Sequence, residues 1–456
     1  MSIEPELKRT LGLTSAIAVI VGGVIGSGIF LKPLDIAKNL PDPIWIHSTW
    51  VALGVVCLFG AFAYAELGAM LPEAGGQYAF LREGWGRFVA FLYGWCLFLV
   101  INTGTLAALA VAFATAVLTV AGGGGEAASV SIASAMILAL ALVNHFGARH
   151  GAAFQNVSTF AKLLALAAIV VAAVAAGGGG GGARPAAADV AARAANPDLV
   201  AGLVSASIAI FWAYEGWYQL PFNAAELKRP ERDLPLGLIL GVGILIVVYI
   251  AVNAAYLHVV PIGEMRGLEN DIDVPRLAVE RIFGTAAGSA LALLIALSVI
   301  GAANPGLLST PRAFYAMAKD GLLFPSLARV HPRWHTPTVA IWVQAVWSVA
   351  LVVVLKTFRD ITEFVIFAAL LFYALAVAAV YVLRRKMPDR PRPYRCFGYP
   401  VTPALFIAVV LFVDAKTLED PLSRWNALYG LAIIAAGAVA YVMFVRGRSA
   451  RVSSSS

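Results

Sequence analysis

Charged side chains are scarce in this chain of 456 residues, because Asp, Glu, Lys and Arg together make up only 13% of it. Soluble domains carry roughly twice that share. Cysteine is scarcer still, with three residues in the whole sequence, and Cys57 and Cys96 lie inside apolar runs. This composition excludes a disulfide framework, a secreted enzyme, a nucleic-acid-binding protein and a disordered scaffold.

Apolar residues fill the sequence instead, at 60% of the chain and a mean hydropathy of +0.82. They form about twelve segments, each long enough to cross a bilayer as a helix. The ten-residue alternating segments typical of membrane-spanning strands are absent. The sequence therefore predicts an all-α polytopic membrane protein whose solvent is the lipid bilayer. The predicted spans, numbered 1 to 12, are 13–33, 46–70, 87–118, 129–147, 154–176, 199–224, 235–259, 285–318, 338–355, 361–383, 399–416 and 425–445.

The distribution of Lys and Arg predicts the orientation of these spans. If the N-terminus lies in the cytoplasm, most of the basic residues fall in cytoplasmic loops, as the positive-inside rule requires. We therefore expect a multi-pass protein of a plasma membrane (a bacterial inner membrane), with both termini in the cytoplasm. The net charge of +7 follows from this topology and indicates no nucleic-acid partner.

Span 1 contains an unusual density of glycine, with four glycines in residues 22–28. Each costs a helix roughly 1 kcal/mol relative to alanine. Gly22 and Gly26 form a GxxxG pair, which would allow another helix to pack closely. Alternatively, the helix unwinds here, so that free backbone amides and the positive end of the next half-helix face a ligand. Span 1 alone does not distinguish these two interpretations.

Span 6 favours the second interpretation, because Glu215 lies deep within it. A carboxylate inside a bilayer costs several kcal/mol unless it is paired, neutral or hydrated. Gly216 and Pro221 weaken the helix just beyond it. A kinked helix with an interfacial aromatic belt would explain the neighbouring Trp and Tyr but not the depth of Glu215. Interrupted helices five spans apart, running in opposite directions, are typical of a transporter site between inverted repeats.

The first interruption has the chemistry to bind a carboxylate. The backbone amides of Gly26, Ser27 and Gly28 would donate hydrogen bonds to it, and the Ser27 hydroxyl adds a further donor.

The second interruption has the chemistry to bind an ammonium group. Carbonyl groups freed between Trp212 and Glu215, together with those near Val24, would accept its hydrogen bonds. A small zwitterion that carries both groups is an amino acid. We expect Trp212, Tyr214 and Trp217 to close over its side chain. Glu215 either selects cationic substrates, binds protons, or orients another group.

Residues 24–30 (Val-Ile-Gly-Ser-Gly-Ile-Phe) resemble the hallmark of the amino acid–polyamine–organocation superfamily, and most closely its bacterial L-type amino acid transporter branch. Three further stretches share the resemblance: 65–78, 211–235, and 302–306 with 318–321. In the last of these, Asn304-Pro305 predicts either a break or a proline kink in span 8.

This resemblance implies a single membrane transporter domain, 1–456, of the leucine-transporter type. Its two inverted five-helix repeats would cover about 13–176 and 199–383, with helices 1 and 6 broken, and two extra helices would cover about 399–445. The substrate contacts that it implies are Val24, Ile25, Gly26, Ser27, Gly28, Trp212, Ala213, Tyr214 and Glu215. Trp212 stands where relatives often have a phenylalanine gate, and Glu215 where many have glycine or aspartate.

Lys162 lies in span 5, about eight residues or roughly 12 Å from its nearer predicted end. A lysine so placed could extend its long side chain to the membrane surface. The resemblance implies another role, because it puts a lysine where sodium-coupled relatives bind sodium. It thus implies a sodium-independent carrier, either an exchanger or a proton-coupled transporter.

We therefore interpret the chain as a secondary active transporter that moves L-amino acids by alternating access. The alternative is a carrier of cationic amino acids or polyamines, with Glu215 selecting positive charge. We find neither the clustered catalytic groups of a membrane enzyme nor the repeated polar rings of a channel. No cofactor or metal site is expected. The expected partners are the amino acid substrate, the lipid bilayer and, if transport is coupled to protons, protons. No partner subunit is expected.

Overall fold

The chain folds into a bundle of long helices in the computed structural model, which describes residues 9, 11–73, 75–146, 148–176, 199–269, 272–334, 336–355, 358–420 and 424–453. Twelve helices among these residues are long and apolar enough to cross a membrane. This confirms the predicted all-α polytopic fold. The spans are Leu13–Leu31, Pro43–Met70, Arg87–Ala121, Glu126–His145, Asn156–Ala175, Leu199–Glu226, Pro230–Val259, Ala287–Lys319, Thr338–Leu355, Ile361–Lys386, Val401–Glu419 and Arg424–Met443.

Shorter helices lie between the spans and link their ends. They are Pro33–Asn39, Gln77–Trp85, Ile262–Met265, Asp273–Phe283 and the 3-10 turn Pro325–Ala328. Within the described ranges the β structure is limited to one isolated bridge, between Leu11 and Leu227. Helices dominate because lipid offers no hydrogen-bond partner to an open backbone.

Span 1 is broken at the predicted glycine-rich stretch. Its first half, span 1a, is the helix Leu13–Val24, and its second half, span 1b, begins as the helix Gly28–Leu31. Residue Ile25 has a ψ of 90°, well outside the helical range. Gly28 is required by packing, since a Cβ there would lie 2.4 Å from the Cα of Ala213. The half-helix can therefore approach span 6 backbone to backbone.

Span 6 is broken as well. Its first half, span 6a, is the helix Leu199–Tyr214, and its second half, span 6b, is the 3-10 helix Trp217–Glu226. Gly216 between them has a φ of +107°, a conformation that only glycine adopts without strain. Pro221 lies inside span 6b, where it removes one backbone donor and helps to prevent a regular α-helix.

The two broken spans pack against each other in opposite directions. Span 1a lies against span 6b, while span 1b lies against span 6a. This crosswise pairing is what antiparallel helices produce when their breaks meet at the same depth. The predicted relation between the two interruptions is therefore confirmed.

Span 8 departs from the prediction of a break at Pro305. The helix Ala287–Ser309 runs through this proline without interruption, so of the two predicted alternatives the break was wrong, and the kink stays a prediction. A proline removes one hydrogen bond but keeps a helical φ, and neighbouring packing can maintain the helix. Here the ring packs against span 1 at Gly23, where an added Cβ would lie 3.5 Å from Pro305 Cγ. The unpredicted irregularity is a π-helical turn, Leu97–Ile101, inside span 3.

We expect the substitution Gly28→Ala to disrupt the contact between the two breaks. The added methyl would overlap backbone atoms of Ala213, and such overpacking costs about 1–3 kcal/mol. Thermal unfolding of the purified protein should shift to lower temperature, and uptake of amino acids into vesicles should fall. Gly243→Ala is the matched control, because an added Cβ there meets nothing within 4 Å. Equal behaviour of the two variants would contradict the close packing of span 1b on span 6a.

Candidate substrate site

Lys162 of span 5 supplies the hydrogen bonds that the break in span 1 leaves unmade. Its Nζ donates to the carbonyl of Gly22 at 2.9 Å and to that of Ile25 at 2.7 Å. Ser298 of span 8 donates to the same Ile25 carbonyl at 3.1 Å. The lysine is only 1% exposed, so its side chain does not extend to the membrane surface.

Span 8 leaves room for this lysine by means of a glycine. A Cβ at Gly301 would lie 2.8 Å from Lys162 Nζ and 2.2 Å from Ser158 Oγ. Spans 1, 5 and 8 therefore meet at the ammonium group. Within the described part of the chain, no group of three or more His, Cys, Asp or Glu side chains could hold a metal ion.

Tyr249 of span 7 joins the two breaks directly. Its hydroxyl oxygen lies 2.7 Å from the carbonyl oxygen of Ala213 in span 6 and 3.1 Å from that of Val24 in span 1. Both carbonyls are among those that the sequence predicted to face an ammonium group. Sequence reasoning missed Tyr249 because it lies within an apolar run, where a tyrosine is typical of ordinary packing.

The start of span 1b carries the groups predicted to bind a carboxylate. Ser27 and Gly28 stand where a helix leaves its first N–H groups without intrahelical partners. The Ser27 hydroxyl accepts a hydrogen bond from Nε1 of Trp212 at 3.2 Å, so its own hydrogen remains available to another acceptor. The amides, this hydroxyl and the indole are all buried at the break.

Trp212 is covered on the side away from the basic loops. Its ring meets that of Phe358 edge to face, with centroids 5.6 Å apart. The Nζ of Lys32 lies 4.9 Å from the centroid of Phe358 and 3.3 Å from the hydroxyl of Thr362. Spans 1, 6 and 10 are therefore in contact above the break.

The three aromatic residues that were predicted to close over a substrate contact different neighbours. Trp212 lies beside the break in span 1, whereas the other two pack against different spans. The ring of Tyr214 lies 5.1 Å from that of Tyr249, and the ring of Trp217 lies 4.8 Å from that of Tyr64. Both rings are buried and help to fix the bend of span 6.

Glu215 is directed toward span 10. Both of its carboxylate oxygens accept from the hydroxyl of Tyr373, at 2.8 and 2.9 Å. The residue is 7% exposed. The sequence had no means of predicting this partner, because the two residues are 158 positions apart.

The side of the bundle with the Lys- and Arg-rich loops, here called the basic side, is closed by an ion pair. Arg312 pairs with Glu226, and both side chains are less than a tenth exposed. The backbone of Leu11 hydrogen-bonds to that of Glu226 at 3.0 Å and to that of Lys228 at 2.9 Å. The segment before span 1, the end of span 6 and the end of span 8 are therefore tied together.

Two interrupted helices packed antiparallel, with buried hydrogen-bonding groups at both breaks and closures on both sides, define a membrane carrier. Comparison with known proteins gives the particular family. The family model described as "Amino acid permease" matches residues 11–450. The chain belongs to this family and is a multi-pass membrane transporter of amino acids, not an enzyme. The superfamily inferred from the motifs is thereby confirmed.

Individual relatives align along nearly the whole chain. The serine/threonine exchanger SteT of Bacillus subtilis (strain 168) is 31% identical over 431 residues, which is 93% of this chain and 95% of the relative. The human cystine/glutamate transporter is 30% identical over 445 residues, covering 96% and 86%. The rat large neutral amino acids transporter small subunit 2 is 31% identical over 448 residues, covering 96% and 81%.

We expect the ion pair between Arg312 and Glu226 to hold the basic side closed. Arg312→Gln leaves a buried carboxylate unpaired, which typically costs about 3–5 kcal/mol. The variant should therefore unfold at a lower temperature. The double variant with Glu226→Gln has no unpaired charge and should be less destabilised than the two single effects combined. Strictly additive shifts in a thermal double-mutant cycle would contradict the coupling.

Proposed function

We propose that this protein moves L-amino acids across a plasma membrane by alternating access, with the substrate held between the two breaks. The amides of Gly26, Ser27 and Gly28 would bind its carboxylate, and the carbonyls of Val24 and Ala213 its ammonium group. The observation that supports this most is that one hydroxyl, that of Tyr249, reaches both carbonyls. An ammonium group with three donors has the chemistry to do the same.

We assign different roles to the remaining predicted contacts. Ile25 presents its carbonyl to Lys162 and would shape the site rather than touch substrate. Trp212 would close over the substrate side chain, since its indole bonds to Ser27. Tyr214, Trp217 and Glu215 contact spans 7, 2 and 10, respectively, and would act on the site through the bend of span 6. These are our assignments for the predicted residues.

We further propose that transport is sodium-independent exchange, with proton coupling as the alternative. The Nζ of Lys162 lies against the carbonyls of the first break and donates hydrogen bonds to them. A bound cation is not needed to satisfy those carbonyls. The name of the Bacillus subtilis relative describes an exchanger, which favours exchange here.

The arrangement in the membrane follows from the charge distribution. We propose that the basic side faces the cytoplasm together with both termini. The repeats would be 13–176 and 199–383, followed by the two extra helices at 399–445. The rat relative is named as a small subunit, whereas the name of SteT describes an exchanger without mention of subunits. We propose that this chain likewise transports without a partner subunit.

Purified protein reconstituted alone in liposomes provides the test of exchange. Vesicles loaded with unlabelled amino acid should take up labelled amino acid many times faster than vesicles loaded with buffer. Replacing sodium by choline should leave the rate unchanged. Uptake into buffer-loaded vesicles driven by an imposed pH step would contradict obligatory exchange and support proton symport.

The choice of substrate is tested by a competition panel of the twenty amino acids in the same vesicles. The names of the relatives cover serine and threonine, cystine and glutamate, and large neutral amino acids, so they select no single substrate. We expect small or large neutral amino acids to compete best. Strongest inhibition by lysine, arginine or a polyamine would instead support the alternative in which Glu215 selects positive charge.

A further inference from the structure

Glu215 is a buried carboxylate surrounded by hydroxyl groups. Both of its oxygens accept from Tyr373 of span 10, at 2.8 and 2.9 Å. Tyr218, three residues further along the chain, is also buried. The ring centroids of Tyr218 and Tyr373 lie 4.8 Å apart, so the two phenols pack against each other.

Two more phenols complete this group. Tyr64 of span 2 and Tyr93 of span 3 are fully buried, and within the described residues their hydroxyls have no hydrogen-bond partner. The ring of Tyr64 packs against Trp217, which also contacts Tyr373, and the ring of Tyr93 packs against Phe372, the residue before Tyr373. The tyrosine cluster, as we name it, consists of Tyr64, Tyr93, Tyr218 and Tyr373. With Glu215 it brings together groups from four spans.

No cation among the described residues balances Glu215. The basic side chains of the elements around it are bonded to other groups. These side chains are Lys32, Arg82, Lys162, Arg312 and Arg384. The nearest acidic neighbour on span 11, which packs against span 6a, is Asp414, whose two oxygens have no partner in the described structure.

An ionised carboxylate in such a place is costly, because neither lipid nor protein supplies a counter-charge. A neutral carboxyl group suits the surroundings better. It can still accept from Tyr373, and it has one hydrogen of its own to donate. A phenol hydroxyl can rotate to accept or to donate a hydrogen bond, so it is compatible with either protonation state of Glu215.

We propose that Glu215 and the tyrosine cluster form a proton-binding site whose occupancy is required for the carrier to close. In the closed conformation the carboxyl group holds the proton. When span 10 separates from span 6, the bond to Tyr373 breaks, water enters, and the proton passes from the carboxyl oxygen to water. The link to transport rests on the proposed alternating-access function, whereas protonation of Glu215 does not.

The transport test compares the exchange rate over a pH series with equal pH on both sides. In the native protein the rate should fall by up to about tenfold per pH unit once Glu215 loses its proton, because only the protonated fraction closes. Glu215→Gln, which is permanently neutral, should show a rate that no longer falls as the pH rises through this range. Tyr373→Phe should shift the pH of half-maximal rate. Tyr256→Phe is the control, since Tyr256 lies in span 7, outside the tyrosine cluster, and its buried hydroxyl has no hydrogen-bond partner in the described structure.

A merely structural or substrate-contacting role gives different results. If Glu215→Gln raises KM but keeps the native pH profile of the maximal rate, the proton site is contradicted. The same conclusion follows if Tyr256→Phe shifts the profile as much as Tyr373→Phe. If the native protein transports amino acids at no pH, the proposed function fails, and the protonation of Glu215 is then decided by spectroscopy.

Infrared difference spectra on exchange into deuterium oxide provide that measurement. A protonated carboxyl group gives a carbonyl stretching band that shifts on deuteration. The experiment uses an Asp414→Asn background, because that carboxyl is also buried without a partner. We expect the band at low pH, its loss on raising the pH, and its absence in Glu215→Gln. A spectrum that is identical with and without Glu215 would overturn the proposal.

Discussion

The bond between the Lys162 ammonium and the carbonyls of Gly22 and Ile25 is the interaction on which the rest of the site depends. A helix that breaks inside a bilayer leaves peptide groups that lipid cannot satisfy, and each unpaired group costs several kcal/mol. The lysine pairs two of them at 2.9 and 2.7 Å. With span 1a ended in this way, span 1b can change direction, and Gly28 can reach the backbone of Ala213.

The same constraint explains why so many polar side chains of distant spans converge on the two breaks. Tyr249 and Ser298 donate to carbonyls of span 1 from spans 7 and 8. On the side away from the basic loops, Trp212 is covered by its aromatic contact with Phe358. On the basic side the closure combines an ion pair with backbone hydrogen bonds. A carrier that opens one side at a time must break these two closures separately.

Much of this architecture was predictable because its causes are local. The number of spans follows from apolar length, and both breaks follow from residues that a helix tolerates poorly, such as Gly26 and Gly216. The tendency of proline to interrupt a helix suggested a break at Pro305. The helix is intact there, and the proline ring packs against Gly23 of span 1. The partners Tyr249 and Tyr373 were beyond prediction, because Tyr249 lies within an apolar run and Tyr373 is 158 positions from Glu215.

The most direct measurement of the central claim is a structure of the protein with a bound amino acid chosen from the competition panel. We expect the substrate carboxylate to lie within hydrogen-bond distance of the amides of Ser27 and Gly28, and its ammonium group to contact the carbonyls of Val24 and Ala213. Substrate bound elsewhere in the bundle, with these groups untouched, would contradict the claim that the two breaks form the binding site.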